Sequence, residues 1–454
     1  MRRRSTTGSR LARFRQVQVA GVALLAVCVP LTLGGVLPGT RALMVATVAG
    51  LAAGECLLRS LNGPAPDRWE RSWAFPWLVL SSIVLLQVAP LPGSLRSILG
   101  AYPETLRWAK DAPISRLSPV PIASVAYWAT FSCYWAVAWM VARFGRRQAH
   151  LLLGVLTALA VFEALYGIGA LAQESDSIFG LWPRRDHVGD ATGTFVNRNH
   201  FVGLLALCWP ACLAWLLLDR SEGGASWPEP IRLGLALLFS LIVGTAIFCG
   251  HSRVGLLAAL GGIATWLALS VPGRDARVNR RALWPYCAAP AVAVAGAVWF
   301  GSARLIERFV ELPIHQERFL VWKSLLELPS QTWVLGAGAG SFGDVFKTVQ
   351  PGRLATSYAY AHNDWLEFLC DFGIVGAGSI AIAVWLWWRR TRPHPLSSLQ
   401  RGALAGVAAI AIHCLADFDL HVPGTALGFW VLVGVVANRH LGRMRGAASE
   451  GATA

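Results

Sequence analysis

The sequence predicts an all-α, polytopic integral membrane protein with about 12 transmembrane helices, each on the order of 20 apolar residues long. Three observations predict it. The 454 residues are 55% hydrophobic and only 14% charged, with a mean hydropathy of +0.50, too apolar for an ordinary soluble protein. Apolar segments recur along the whole length. Basic residues collect in alternate connections between them, as topogenic Lys and Arg do.

In order, the predicted spans are 17–36, 42–58, 73–92, 123–142, 151–171, 201–218, 232–249, 254–272, 284–300, 370–388, 402–415 and 424–438. The segments 42–58 and 402–415 are short for a full crossing. The first segment lacks a small-x-small cleavage site and is followed by further spans, so it reads as a retained helix. The expected organisation is a basic tail (1–16), nine spans (17–301), a polar loop (302–369), three spans (370–438) and a second tail (439–454).

Placing the tail MRRRSTTGSRLARFR in the cytoplasm and alternating sides puts most of the 40 Lys and Arg residues on the cytoplasmic side. Both termini are then cytoplasmic and the 302–369 loop faces outward, toward the periplasm in a Gram-negative cell. The net charge of +15 is mainly this topogenic arginine, and no basic, aromatic-interleaved soluble domain exists to hold nucleic acid. Topology does not account for the outward arginines, among them Arg198, Arg253 and Arg318. Guanidinium groups form bidentate bonds to phosphate oxygens, so these suit either a lipid pyrophosphate or bilayer headgroups.

The nine cysteines lie in or beside apolar segments without CxxC spacing, and the ten histidines lack HxxxH spacing, so neither disulfides nor a metal site is expected. No cofactor is expected either.

Four motifs carry the chemical signal. In ATGTFVNRNHF, the row Asn197, Arg198, Asn199 and His200 stands where an outer loop enters a span; it is a binding edge or an interfacial polar collar. In CGHSRVG, Arg253 sits in a turn between two spans, where an arginine needs an anion or a water-filled cavity. In ERFLVWKSLLEL, Arg318, Trp322 and Leu325 share a helix face. The GAGAGS run that follows has no Walker ending and no strand before it, so it reads as a tight turn and not as a nucleotide loop. In AHNDWLEFL, His362 can take a proton from a sugar hydroxyl near neutral pH; Asn363 follows it, and Asp364 and Glu367 are carboxylates placed either to orient it or to compete for the role. The competing account of a lone histidine is structural.

Taken together, GTFVNRNHF, SRVG, RFLVWKSL with LGAGAGSF, AHNDWLEFL and HCLADFDLHVPG resemble the O-antigen ligase and polymerase superfamily of bacterial membrane glycosyltransferases, over roughly residues 85–438. That resemblance implies a GT-C-like polytopic fold in the inner (plasma) membrane. It implies an undecaprenyl-pyrophosphate-linked glycan donor, metal-independent transfer and a lipid A-core or glycan acceptor. It also implies an outer-loop histidine as base and two arginines on the pyrophosphate. By motif these roles fall on His362, Arg318 and Arg253, with Asp417, Asp419 and His421 expected to shape the acceptor cleft. Ligases and polymerases share these motifs. The rival of another class is a transporter for the lipid-linked glycan. Transporters often show internal repeats and mid-membrane ionisable groups. Here the sequence shows no convincing repeat, and its conspicuous polar residues cluster toward one surface.

Overall fold

A computed structural model describes residues 2–62, 68–99, 116–218, 227–270, 291, 315–328, 330, 332–354, 356–391 and 396–441. Its helices, in chain order, are α1 (Arg2–Leu31), α2 (Pro38–Asn62), α3 (Arg68–Val88), α4 (Gly93–Leu99) and α5 (Pro121–Val141). Next come α6 (Arg146–Ala172), α7 (Arg198–Leu216), α8 (Glu229–Cys249) and α9 (Arg253–Ser270). Three short helices follow in the polar loop: α10 (His315–Leu325), α11 (Thr332–Leu335) and α12 (Phe342–Phe346). The chain ends with α13 (Asp364–Thr391), α14 (Ser398–His413) and α15 (Pro423–Val436). A two-residue antiparallel pair, Ser177–Ile178 with Trp182–Pro183, is the one sheet among the described residues.

The protein is all-α and multi-pass. Among the described residues, eight helices are long and apolar enough to cross a membrane: α1, α2, α3, α6, α7, α8, α9 and α13. Twelve were expected. The expected span at 284–300 lies outside the described residues apart from position 291. At 123–142 a 21-residue helix forms, but α5 is not among the eight, and its sequence carries five Trp and Tyr residues and three Ser and Thr. At the expected positions 402–415 and 424–438 the helices α14 and α15 are 16 and 14 residues long. At about 1.5 Å per residue neither covers a hydrocarbon core of about 30 Å.

The basic tail and the first span are one helix, so the expected boundary at residue 16 is not a break in structure. The boundary at 369/370 is displaced too. α13 starts at Asp364, and its interruption comes at Gly373, whose φ of 65° and ψ of −173° are non-helical.

At the centre stands α7, with 83% of its apolar window buried against 17–44% for the other spans. It packs on α14, α9, α6, α8 and α15. Small residues permit this closeness, as is usual where helices meet in lipid. A Cβ at Gly406 of α14 would lie 2.4 Å from the Leu207 carbonyl oxygen of α7, and one at Gly262 would lie 2.8 Å from Ala409 Cβ.

The glycine run is clamped between two membrane helices. Gln87 at the end of α3 donates to the Leu335 and Asp371 carbonyls, both at 2.8 Å, and accepts from the Ala339 amide at 3.0 Å. The Ala337 amide reaches the Cys370 carbonyl at 2.7 Å, and the Gly340 amide reaches the Asp371 carboxylate at 3.0 Å. Gly336 and Gly373 both have positive φ, and a Cβ on either would fall within 2.3 Å of a carbonyl oxygen across the contact. Glycine is therefore required on both sides of this junction. Its amides serve tertiary structure, in keeping with a turn and not a phosphate cradle.

Candidate functional site

The polar motifs converge on Asp417, in the turn between α14 and α15. Its side chain is fully buried. Asn199 Nδ2 donates to Asp417 Oδ2 at 2.7 Å. His200 Nε2 stands 3.7 Å from Oδ1, His362 Nδ1 stands 3.5 Å from Oδ1, and Arg318 Nη2 stands 3.8 Å from Oδ2. Arg318 also donates to the carbonyl of Ala416. Burial alone would raise the Asp417 carboxyl, but the facing His200 and His362 imidazoles hold it well below the usual carboxylate range. Asp417 is therefore an anion around which one arginine and two histidines are arranged.

Local structure explains how each group gets there. Asn197 caps α7 by accepting from the Asn199 amide at 2.8 Å, so Asn199 and His200 fall in the first turn and face the α14–α15 turn. Arg318 stands in the first turn of α10, a helix anchored by buried Val321 and Leu325. Trp322, one turn on, donates its indole N–H to the Ala361 carbonyl at 2.9 Å and so ties α10 to the residue before His362.

His362 itself has φ of 50°, a left-handed conformation that costs a non-glycine residue free energy. Its ring is 26% exposed and meets Phe418 edge-on at 4.8 Å. Phe418 in turn stacks on Tyr360 at 4.3 Å and meets His200 at 4.6 Å. Nδ1 lies on the Asp417 side, near the carboxylate but without a hydrogen bond to it, and the imidazole keeps Nε2 for another partner.

The other expected residues are placed differently. Asp364 does not orient His362. It accepts from His421 Nδ1 at 2.6 Å and from the Leu420 amide at 2.9 Å. Glu367 lies 3.1 Å from the other ring nitrogen of His421 and accepts from the Ala361 amide at 2.7 Å. Although burial opposes it, the Glu367 and Asp364 carboxylates lift His421 to about 9, so it is a cation at neutral pH. Asn363 caps α13 by accepting from the Leu366 amide at 3.0 Å. Asp419 is fully buried and pairs with His413, and it would touch any Cβ added at Gly203, so it packs the bundle and does not line a cleft. Burial raises its carboxyl although His413 opposes the shift.

Arg198 pairs with buried Asp190, as does His251, whose Nδ1 is 2.8 Å from the same carboxylate. His251 is a second histidine with positive φ, at 47°. Asp190 belongs to none of the sequence motifs; the available signal was a carboxylate eight residues before Arg198. Arg253 opens α9 directly after this turn, beside the first turns of α7: a Cβ at Gly255 would lie 2.4 Å from Val202. Among the described residues no group of three or more His, Cys, Asp or Glu is arranged to hold a metal, and the described cysteines are free thiols.

Residues 237–381 match a family model described as O-antigen ligase. That segment, about a third of the chain, is similar to the O-antigen ligase family. Enzymes of this family are transferases of lipid-linked glycans. Comparison with curated proteins and with solved structures found no match. Arg253, Arg318 and His362 lie inside the matched O-antigen ligase segment. Asp417, which meets Arg318 and His362 in space, lies outside it, as do Asn199 and His200.

Proposed function

We propose that this protein transfers a glycan from an undecaprenyl-pyrophosphate carrier to an acceptor hydroxyl at the outer face of the bacterial inner membrane, as an inverting, metal-independent enzyme. The observation that carries the reading is the convergence of Arg318 and a strained, partly exposed His362 on buried Asp417. Strain of this kind persists where the surrounding structure over-determines it, and it clusters at functional sites.

In this reading Asp417 holds the His362 imidazole and stabilises it as it becomes charged. His362 Nε2 accepts the proton of the acceptor hydroxyl. The freed oxygen bonds to the anomeric carbon while the bond from that carbon to the pyrophosphate oxygen breaks on the opposite face. The pyrophosphate leaves with the bonding electron pair, and the guanidinium groups of Arg318 and Arg253 neutralise the charge that develops on it, the kind of electrostatic effect that dominates such steps. Arg198, engaged with Asp190, supports the loop that enters α7 and leaves the anion to the other two.

The test is transfer with purified protein, lipid-linked glycan and acceptor, in EDTA. His362→Ala should lower the rate by roughly 10²–10⁴-fold, the contribution of a positioned general base, while donor binding survives. An undiminished rate assigns His362 a structural role. Wild-type protein that moves the lipid between leaflets without joining glycan to acceptor is a transporter. In the same preparation of cells, a cysteine introduced at position 350 should be labelled from outside, and cysteines at 278 and 395 should stay protected; labelling of 350 only after lysis reverses the topology.

A further inference from the structure

The loop from α6 into α7 carries a feature that the transfer reaction does not use, the hairpin of Ser177–Ile178 with Trp182–Pro183. Its turn closes with the Leu181 amide donating to the Ile178 carbonyl at 3.0 Å. Both central residues have positive φ, 55° at Phe179 and 68° at Gly180. Such turns favour Asn or Asp before the glycine, and a phenylalanine there costs conformational free energy. The tip is also apolar and uncovered: Leu181 is 70% exposed, and Phe179 is exposed beside it. Facing water, a strained phenylalanine would gain nothing to offset its turn.

The hairpin folds back along α6. The Phe179 amide donates to the Tyr166 hydroxyl at 2.6 Å, and the two rings lie 4.9 Å apart. Tyr166 stacks in turn on Phe162 at 5.9 Å, and Phe162 and Leu165 are exposed on the same stretch of helix. α6 opens with Arg146, Arg147, Gln148 and His150, and its apolar run starts at Leu151. A hydrocarbon core of about 30 Å takes about 20 helical residues from there, to about residue 170. At about 1.5 Å per residue, Tyr166 then lies about 6 Å inside the edge of the core, and it holds Phe179 at its own level.

Backbone at that depth has no water to bond. Here the chain supplies partners: besides the turn bond and the Tyr166 hydroxyl, the Arg184 amide donates to the Asp176 carbonyl at 2.6 Å. The Ser175 hydroxyl donates to the Ser177 carbonyl at 3.0 Å. The charged residues Glu174, Asp176, Arg184, Arg185 and Asp186 all stand at the base of the hairpin, away from the tip. The Arg184 guanidinium lies near the Tyr166 phenol, and its Nε and Nη2 are buried without a hydrogen-bond partner. Unmade guanidinium bonds are costly, and the matching acceptor is an oxyanion. At the edge of a hydrocarbon core that oxyanion is a phospholipid phosphate.

We propose that this hairpin is a membrane wedge: Phe179 and Leu181 enter the hydrocarbon of the leaflet on the side of the candidate site, and Arg184 holds the phosphate of one phospholipid of that leaflet. The lipid's chains lie along Phe162, Leu165 and Phe179. Three carboxylates share the base with two arginines, so the phosphate itself is recognised and zwitterionic phosphatidylcholine suffices. The wedge fixes the membrane level of the segment that continues through Asp190 and Arg198 to the first turn of α7, where Asn199 and His200 reach Asp417. It depends on α6 crossing the membrane and not on the transfer reaction.

The experiment uses full-length protein in phosphatidylcholine nanodiscs, with Cys28, Cys56 and Cys287 replaced by Ser; the other cysteines are buried. A nitroxide is placed on Leu181→Cys at the tip, Leu165→Cys on the exposed face of α6, or Asp186→Cys at the base. Collision with oxygen relative to a water-soluble nickel chelate should be about tenfold higher at 181 than at 186, because the bilayer core excludes water, and should match 165. A tip that reads like position 186 overturns the wedge. The phosphate seat is read by native mass spectrometry in detergent with added dipalmitoyl phosphatidylcholine. Arg184→Ala should weaken the binding of one lipid about tenfold, the loss of a charge-assisted bond, and Arg185→Ala should not. Dipalmitoylglycerol, which lacks the phosphate, should not fill that seat. The seat is overturned if Arg184→Ala binds as wild type does, if Arg185→Ala loses as much, or if dipalmitoylglycerol binds equally. Displacement of the lipid by farnesyl diphosphate overturns it too, by giving the seat to a substrate. None of these readings needs turnover, so a wedge found in a protein that never transfers glycan refutes the reaction alone.

Discussion

Replacing Asp417 by Asn removes one negative charge and little volume, at a position with no exposed surface. His362 Nδ1 lies 3.5 Å from the Asp417 carboxylate. Two unit charges at that distance attract by about 5 kcal/mol at an effective dielectric constant of about 20. The His362 ring is 26% exposed, so solvent screens part of this. About 2–4 kcal/mol should remain, and it acts only when the ring carries the proton taken from the acceptor. Transfer by Asp417→Asn should therefore be slower by roughly 30- to 1,000-fold in kcat.

The donor KM should not rise, because Arg318 loses a competing anion 3.8 Å away and keeps its bond to the Ala416 carbonyl. The fold should hold: an amide retains an oxygen that can accept from Asn199, at a cost on the order of 1–3 kcal/mol for the groups left imperfectly paired. The assay is initial-rate transfer of labelled glycan by purified variants matched for monodisperse elution. Asp364→Asn serves as the control, since Asp364 faces His421 and not His362. A kcat within threefold of wild type, or a loss confined to KM, would refute Asp417 as the partner of the base.

Two further outcomes follow from the same geometry. Arg318→Lys and Arg253→Lys should each remain roughly 10²–10³-fold slow, because an ammonium cannot reproduce the guanidinium fork against developing pyrophosphate charge; normal rates in both variants would show that bidentate binding is not used. His421 is lifted to about 9 by its two carboxylates, so the stability it contributes is complete below its unfolded value near 6.5 and is lost as pH rises through 9. Melting of the purified protein should accordingly fall across that interval by the equivalent of about 3 kcal/mol, and His421→Gln should flatten the curve; an unchanged slope would detach His421 from this role.

The described helices sit close to the segments read from hydropathy, because a hydrocarbon core imposes a length of apolar sequence that shows without any partner. Boundaries were less legible. The break of α13 at Gly373 depends on the backbone of the glycine run at Gly336, more than thirty residues earlier in the chain. α14 and α15, of 16 and 14 residues, are close in length to the apolar runs, and the turn between them holds Asp417 and Asp419 buried.

At the site, residue types were readable and pairings were not. His362 and Arg318 stand out as polar groups beside apolar sequence, and each is where its motif implied, in the loop before α13 and at the start of α10. The nearest carboxylate in sequence, Asp364, turned out to serve another histidine, while the carboxylate beside His362 comes from 55 positions further along. Proximity along a helix start says little about direction. Asp364 is in the first turn of α13 and His362 precedes it in a left-handed conformation, so the two side chains diverge.

By itself the sequence determined that this chain is helical, multi-pass and rich in arginine, because those properties are set by composition and by short-range periodicity against a lipid solvent. Only the tertiary structure decided that Asp417 is the common partner of Arg318, His362, His200 and Asn199. Those contacts join α7, α10, the start of α13 and the α14–α15 turn. They exist because buried charges require partners, and the bundle can supply them only from helices distant in the chain.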